Sequence, residues 1–162
     1  MPANAAPVEP LLHVHGTDVF ADKGSILFVT VREPRLTVLD WLTTRHSPSA
    51  KVRTYIEKYG DRFVHRVLTP RERPGFARTV NPVLFVANRF AAKEAFSKAM
   101  GTGFRYPVTL QCISIVPDRR GKPEFEFAPR LAELVAAEGI TGHHVTISDE
   151  KSMAVAVAVL EK

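Results

Sequence analysis

The sequence predicts an α+β fold in which an antiparallel sheet packs against a long central helix. The stretch Arg89–Gly103 is rich in helix-favouring residues and holds no proline and no glycine before Gly101. Near the C-terminus, Glu124–Phe127 alternates polar and aromatic residues, and Met153–Leu160 alternates Ala and Val. Alternation of this kind is typical of strands with one face turned to a core. The Ala-rich back of this helix lets it pack closely against another part of the fold.

Length and charge limit the classes of function. The chain has 162 residues, enough for one domain with a substantial core, and carries a net charge of +5 with a pI of about 9.6. A basic protein favours an anionic partner, and nucleic acid, a phosphorylated cofactor and an acidic protein all qualify. The longest apolar run, Ser25–Val31, is too short to span a bilayer. The single cysteine, Cys112, excludes a disulfide framework, fits the cytoplasm, and is interpreted as a buried, inert thiol.

The N-terminal third is the hardest part to interpret. Residues Met1–Pro10 are rich in Ala and Pro and predict a loose tail. Leu11–Phe20 begins as a strand that runs into the motif Gly16-Thr17-Asp18. In the following stretch, Ser25–Val31 predicts a strand and Leu36–Leu42 a short helix or a second strand.

Helices dominate the middle of the chain. Lys51–Tyr59 predicts one helix, and Asp61 is expected to be the N-cap of a second that runs to Leu68. Thr69 is expected to begin a third, with Glu72 reaching back to its start as in a capping box. The remaining predictions are a loop over Arg73–Asn81, a strand over Tyr106–Val116, a turn over Pro117–Pro123, a helix over Pro129–Glu138 and a strand over His144–Ser148.

The central helix is predicted to have two different faces. At about 100° per residue, its charged and hydroxyl side chains share one half of the cylinder, which predicts a solvated face. These residues are Arg89, Lys93, Glu94, Ser97 and Lys98. The opposite half is mostly alanine and can approach a sheet closely. Gly101 and Gly103 are expected to end the helix by taking positive φ.

The sequence of this helix closely resembles a family signature. Arg-Phe-Ala-Ala-Lys-Glu-Ala-Phe-Ser-Lys-Ala followed by Gly-Thr-Gly is similar to that of holo-acyl-carrier-protein synthase, the short bacterial type of 4'-phosphopantetheinyl transferase. The resemblance covers Gly16–Phe20 thinly and Lys51–Lys162 well. It implies the fold of that family, in a single domain over residues 11–162. The segment Ala21–Ala50 has no counterpart and is atypical.

The resemblance implies a specific reaction. Holo-acyl-carrier-protein synthases transfer the 4'-phosphopantetheine arm of coenzyme A to a serine of an apo acyl carrier protein, for fatty acid biosynthesis. Adenosine 3',5'-bisphosphate is the other product. The family implies Mg²⁺, an acidic carrier protein as partner, a homotrimer and a cytoplasmic enzyme, with no nucleic acid and no membrane as partner.

The resemblance also implies roles for individual residues. Glu94 and Asp18 would be the metal ligands, and Glu94 and Lys98 the catalytic residues, with either Glu94 or a metal-bound water as the general base. The residues implied at the cofactor are Arg89, Lys93, Lys98, Gly101, Thr102, Gly103 and Ser148. Arg62 and Arg66 would dock the carrier protein. Because Ala21–Ala50 follows Asp18, Asp22 or Asp40 is an alternative first carboxylate.

Two other classes of function are consistent with the sequence. One is a catalytically weak relative that binds the carrier protein or coenzyme A without transfer, the atypical segment having displaced Asp18. The other is a basic nucleic-acid-binding module, for which the chain lacks a recognised motif and clustered aromatic residues on a basic strand.

Overall fold

The computed structural model describes residues 12–14, 17–22, 26–33, 36–39, 48–150 and 153–162, with side-chain surroundings for residues 52–149 and 154–162. In chain order the elements are β1 (Leu12–Val14), β2 (Thr17–Asp22), β3 (Ile26–Glu33), β4 (Leu36–Leu39), α1 (Pro48–Tyr59), α2 (Asp61–Val67), α3 (Arg73–Arg78), α4 (Pro82–Ala99), β5 (Ile113–Pro117), β6 (Pro123–Phe127), α5 (Pro129–Ala137), β7 (Gly142–Glu150) and β8 (Met153–Glu161).

The strands form one large and one small antiparallel sheet. The large sheet has six strands in the order β1-β2-β3-β4-β8-β7, and β5 pairs with β6 in a separate hairpin. Helix α4 packs against β8, β7 and β4 of the large sheet and also contacts β5. The predicted α+β fold, with an antiparallel sheet against a long central helix, is confirmed. In the part of the chain that is described, no helix combines the length and the apolar character needed to cross a membrane.

Small residues let α4 approach the sheet closely. Its buried alanines are Ala87, Ala91, Ala92, Ala95 and Ala99, and those of β8 are Ala154, Ala156 and Ala158. Phe96 is fully buried, with its ring 5.1 Å from that of Phe125 and 4.8 Å from that of Phe127. Truncating such a phenylalanine to alanine typically costs about 3 to 5 kcal/mol of stability. The helix is therefore anchored on the sheet by packing along its apolar side.

The start of α2 differs by one residue from the prediction. The N-cap is Gly60, which adopts φ 55°, a conformation that glycine takes at little cost. Asp61, predicted to be the cap, is the first residue of the helix. At this position its negative carboxylate interacts favourably with the positive end of the helix dipole.

The capping role predicted for Glu72 is confirmed, although the helix begins later than expected. Its Oε2 accepts a hydrogen bond from the backbone N–H of Thr69 at 2.8 Å. Residues 70–72 form a turn, and α3 begins at Arg73. The loop predicted over Arg73–Asn81 is therefore wrong, because its first six residues are helical.

Other boundaries moved where turns interrupt an apolar run. The strand predicted over Tyr106–Val116 begins only at Ile113, since turns occupy the residues around the cis peptide bond between Tyr106 and Pro107. The single strand expected near the N-terminus is a pair, β1 and β2, and the open choice at Leu36–Leu42 is a strand over Leu36–Leu39. Cys112, predicted buried, is half-buried against the core.

Candidate active site on helix α4

Glu94 and Lys98 lie one turn apart on the partly exposed side of α4. The exposed fractions of their side chains are 18% and 30%, and the Lys98 Nζ is 3.5 Å from the Glu94 Oε1. The hydroxyl of Ser97 donates a hydrogen bond to the backbone oxygen of Glu94 at 2.8 Å. The structure thus brings together the two residues predicted to be catalytic, with a carboxylate and an ammonium accessible on the same helix face.

The loop after α4 ends the helix through positive φ, as predicted. Gly101 adopts φ 71° and Gly103 φ 60°. Their N–H groups donate to the backbone oxygens of Lys98 at 2.8 Å and of Ser97 at 3.1 Å. These two glycine N–H groups are therefore already paired with carbonyls of the helix, and the predicted contact of this loop with the cofactor stays a prediction. Within the described structure, a Cβ at either glycine would meet nothing within 4 Å, so there is room beside the loop.

Lys93 is not on a solvated face, and the prediction that it contacts the cofactor is wrong in this structure. Its side chain is fully buried. The Nζ donates to the backbone oxygens of Val67 at 2.6 Å and Leu110 at 2.9 Å, and to the Glu72 Oε2 at 2.6 Å. An ammonium has three N–H groups, so these acceptors use its donors fully. Burial lowers the pKa of Lys93, and the charge of Glu72 opposes that fall.

Arg89 also turns toward this buried group rather than into solvent. Its side chain is 17% exposed, and its Nε lies 3.9 Å from the Glu72 Oε1. The guanidinium stacks over the ring of Phe85, with 4.3 Å between its Cζ and the ring centroid. Burial lowers the pKa of Arg89, and its buried Nε has no hydrogen-bond partner among the described residues. Arg89 is therefore a partly sheltered cation on the same helix as Glu94 and Lys98.

Strand β7 reaches α4 through a contact that sequence reasoning missed. The side-chain amide of Asn88 donates a hydrogen bond to the Asp149 Oδ1 at 3.2 Å. Ser148, predicted to bind the cofactor, is the preceding residue, is exposed, and pairs in register with Val155 of β8. The sequence gives no sign that Asn88 and Asp149 are in contact, because they lie 61 residues apart. The packing of β7 against α4 brings them together.

Asp18 lies on a strand distant from β8 in the order of the sheet. It is part of β2, where its Cα pairs with those of His13 and Thr30. Strands β3 and β4 lie between β2 and β8, and of these strands β4 and β8 contact α4. Of the two alternative carboxylates, Asp22 is the last residue of β2, and Asp40 lies outside the described residues.

The described side chains contain one accessible carboxylate of the predicted metal site, that of Glu94. Among them, no group of three or more His, Cys, Asp or Glu residues is placed to hold a metal ion. Mg²⁺ prefers oxygen ligands and is commonly bound by one or two carboxylates together with substrate phosphates and waters. The donor chemistry of Glu94 fits that requirement.

The predicted docking residues lie together on α2. Arg62 and Arg66 are exposed and line a groove of about 500 Å³ with Tyr55, Tyr59 and Phe63. The ring of Tyr55 lies 5.3 Å from that of Phe63 and 6.1 Å from that of Tyr59. The two tyrosines were not predicted, although their spacing of four residues on α1 is a signal for a shared face.

Comparison with known proteins matches most of this architecture. The model of the 4'-phosphopantetheinyl transferase superfamily matches residues 48–157, from the start of α1 into β8. The holo-[acyl-carrier-protein] synthase of Nitrosospira multiformis is 50% identical over 114 residues, which are 70% of this chain and 91% of that protein.

Two crystal structures are similar in fold. That of holo-[acyl-carrier-protein] synthase from Neisseria meningitidis has a TM-score of 0.69 and 37% identity, covering 79% of this chain and 96% of that one. The holo-(acyl-carrier-protein) synthase of Bacillus anthracis, solved in complex with CoA (3',5'-ADP), has a TM-score of 0.56 and 33% identity, covering 79% and 94%.

Proposed function

This chain belongs to the 4'-phosphopantetheinyl transferase superfamily, and we propose that it transfers the 4'-phosphopantetheine arm of coenzyme A to a serine of an apo acyl carrier protein. The observation that carries the proposal is the Glu94–Lys98 pair on α4 within residues 48–157, the range that matches the family. Relatives that are 50% identical over about 70% of this chain are holo-[acyl-carrier-protein] synthases, and one structural relative was solved in complex with CoA (3',5'-ADP).

The reaction is a displacement at phosphorus. The serine oxygen forms a bond to the phosphorus that carries the pantetheine arm, and the bond from that phosphorus to the bridging pyrophosphate oxygen breaks. Adenosine 3',5'-bisphosphate takes the electron pair and leaves, while the serine proton passes to a base. Such transfers depend chiefly on positioning and on neutralising charge.

Lys98 and Glu94 divide this work in the proposal. Lys98, at the accessible side of α4, would lie against the pyrophosphate and stabilise the charge that develops on the leaving group. Glu94 would hold Mg²⁺ together with Asp18, and when bound that ion neutralises pyrophosphate oxygens. Glu94 or a water at the site would accept the serine proton.

The remaining cofactor contacts are proposed along α4, in the loop after it and on β7. Arg89, a sheltered cation whose Nε lies 3.9 Å from the Glu72 Oε1 without a hydrogen-bond partner among the described residues, would add positive field. The open space beside Gly101 and Gly103 would admit the cofactor next to Thr102, and Ser148 is an exposed hydroxyl on β7.

An acidic carrier protein is the proposed partner of α2. Arg62 and Arg66 are exposed at a groove with aromatic walls, and the whole chain has a net charge of +5. Complementary charge mainly accelerates encounter and fixes orientation. The proposal also includes a homotrimer, a cytoplasmic location and a role in fatty acid biosynthesis, which rest on the family resemblance.

A direct test is mass spectrometry of an apo acyl carrier protein incubated with coenzyme A, MgCl₂ and this protein. The expected result is a carrier heavier by one phosphopantetheine arm, and only when all components are present. Binding of carrier or coenzyme A without the mass increase would indicate the catalytically weak relative. A salt-dependent DNA mobility shift without coenzyme A binding would instead indicate the nucleic-acid-binding module.

A further inference from the structure

A buried ammonium connects three separate parts of the chain. Lys93 of α4 donates hydrogen bonds to the backbone oxygen of Val67, the last residue of α2, and to that of Leu110, which precedes β5. Its third acceptor is the Glu72 carboxylate before α3. A buried polar network in which every hydrogen bond is formed is rigid, because breaking any one of them would leave a buried polar group unpaired. The contact therefore ties the end of α2 to α4.

Glu72 extends the connection to β5. Its Oε1 accepts the backbone N–H of Ile115 at 3.0 Å, while its Oε2 accepts that of Thr69 at 2.8 Å. The Thr69 hydroxyl lies 2.8 Å from that of Ser114, also on β5. We call Lys93 and Glu72, with these partners, the buried brace.

A second side chain, that of Gln111, also holds the end of α2. The Nε2 of Gln111 lies within hydrogen-bond distance of three backbone oxygens at the end of α2, those of His65, Arg66 and Leu68, at 3.1, 2.9 and 3.3 Å. The last carbonyls of a helix have no partner within the helix. Gln111 therefore caps α2 from the segment before β5, whereas Lys93 caps α2 from α4.

We propose that Lys93 is a positioning residue, held by Glu72, that fixes the helix carrying Arg62 and Arg66 relative to the helix carrying Glu94. This inference rests on the roles assigned to those residues under the proposed function. Lys93 precedes Glu94 in α4, so the rotation of the helix that buries the ammonium also sets where the carboxylate points. Under the proposed function, a carrier docked on α2 must bring its serine to the site on α4, and a misplacement of about 1 Å can cost on the order of a hundredfold in rate.

The test compares Lys93→Met with Gln111→Ala, using the mass assay and titrations of carrier, coenzyme A and MgCl₂. Lys93→Met is expected to raise both the KM for carrier and the half-saturating MgCl₂ concentration, each by about tenfold, as loss of supporting residues around a metal site typically does. Gln111→Ala is expected to raise the KM for carrier alone. The assignment would be overturned if Gln111→Ala changed the KM for carrier and the half-saturating MgCl₂ concentration in the same way as Lys93→Met. A disturbance of α2 alone would then account for both changes.

Loss of stability needs its own control. Leu131→Ala removes a fully buried side chain of α5, an element without brace residues. It is expected to lower the melting temperature while leaving both titration midpoints of the folded enzyme unchanged. The inference fails if Leu131→Ala moves the two midpoints as Lys93→Met does. Glu72→Gln, which keeps the side-chain volume, serves if Lys93→Met does not fold, with the same expected pattern.

Hydrogen exchange of the unmodified protein tests the brace without activity. The amides at the end of α2 and those around Lys93 are expected to open together, with one protection level, and separately from α5. Much weaker protection in α2 than in α4 would overturn the inference. If the wild type transfers no arm but shows this joint opening, the proposed function fails and the connection between the helices stands.

Discussion

The Nζ of Lys98 lies 3.5 Å from the Oε1 of Glu94, one turn earlier on α4. This spacing places opposite charges side by side at the rim of a helix whose other side is packed on the sheet. A carboxylate suits a metal ion and an ammonium suits phosphate, so one helix face presents both kinds of group to a nucleotide substrate.

Glu94→Gln is expected to reduce transfer by on the order of a hundredfold or more, because the charge proposed to hold the metal is lost while the shape is kept. Folding should be nearly unchanged, since the side chain is partly exposed. The mass assay and a MgCl₂ titration measure the effect. Glu133→Gln, the same change at an exposed position of α5, is the matched control. A normal rate at limiting MgCl₂ would show that Glu94 is not a metal ligand.

Replacing Arg62 and Arg66 together by alanine is expected to raise the KM for carrier by roughly two- to thirtyfold, since each exposed ion pair is worth about 0.2 to 1 kcal/mol. The KM for coenzyme A should not change. The dependence of carrier binding on salt should weaken, because two of the charges proposed to steer the encounter are gone.

The matched control removes two exposed arginines elsewhere, Arg119 and Arg120 in the turn between β5 and β6. It changes the net charge equally and leaves α2 intact. An unchanged salt slope in the α2 variant, or an equal loss of slope in the control, would argue against a docking role for α2.

His143 on β7 predicts a pH dependence of stability. Its ring meets that of Phe127 edge-on at 4.9 Å, and its Nδ1 is buried without a hydrogen-bond partner in the described part of the chain. Burial lowers the pKa of His143 below its ordinary value of 6.5. Between the two pKa values the unfolded chain binds more protons than the folded one. The contribution of His143 to the free energy of unfolding is therefore complete above pH 6.5. It is lost as the pH falls below 6.5.

Thermal unfolding between about pH 7.5 and about pH 5.5 measures this effect. His143→Gln is expected to flatten the fall of melting temperature over that range, even if it lowers the melting temperature as a whole. Thr146→Gln, at an exposed and non-titrating position of the same strand, is the matched control and should leave the slope intact. An identical slope in the wild type and His143→Gln would contradict the interpretation.

The fold could be predicted because its signals are local. The alternation in Met153–Leu160 and the composition of Arg89–Gly103 each depend on neighbouring residues, and the strand and the helix formed close to those positions. The strand predicted from Tyr106 failed for the same reason, since apolar composition alone did not indicate the turns that occupy its first half.

Lys93 shows what local patterns cannot indicate. A helical wheel groups it with Glu94 and Lys98 as polar, but the direction of that face depends on what packs against it. The partner is Glu72, 21 residues earlier in the chain, and the other acceptors are backbone oxygens. Only the tertiary arrangement identifies such acceptors. The sequence therefore predicted the Lys93 side chain on a solvated face, whereas it is buried.

Removing Ala21–Ala50 tests the role of the atypical segment. The deletion would take away β3 and β4, and β4 pairs with β8 through Leu36–Leu39 and packs against α4. It would leave the edge of β8 unpaired, and an exposed edge promotes aggregation. The shortened protein is therefore expected to aggregate, whereas removal of the predicted tail Met1–Pro10 should not cause aggregation. Size-exclusion chromatography distinguishes the outcomes, and a monodisperse, active deletion variant would show that the segment is peripheral.

The last prediction concerns the second carboxylate of the metal site. If Asp18 is a ligand, Asp18→Asn should raise the MgCl₂ requirement as Glu94→Gln does, because both changes remove one charge from the same ion. Asp22→Asn, at the end of the same strand, is the matched control and should behave as the wild type. The order of the sheet makes this a demanding test, since two strands lie between β2 and β8. Normal MgCl₂ activation in Asp18→Asn, together with a strong loss in Asp22→Asn or Asp40→Asn, would transfer the role to that residue.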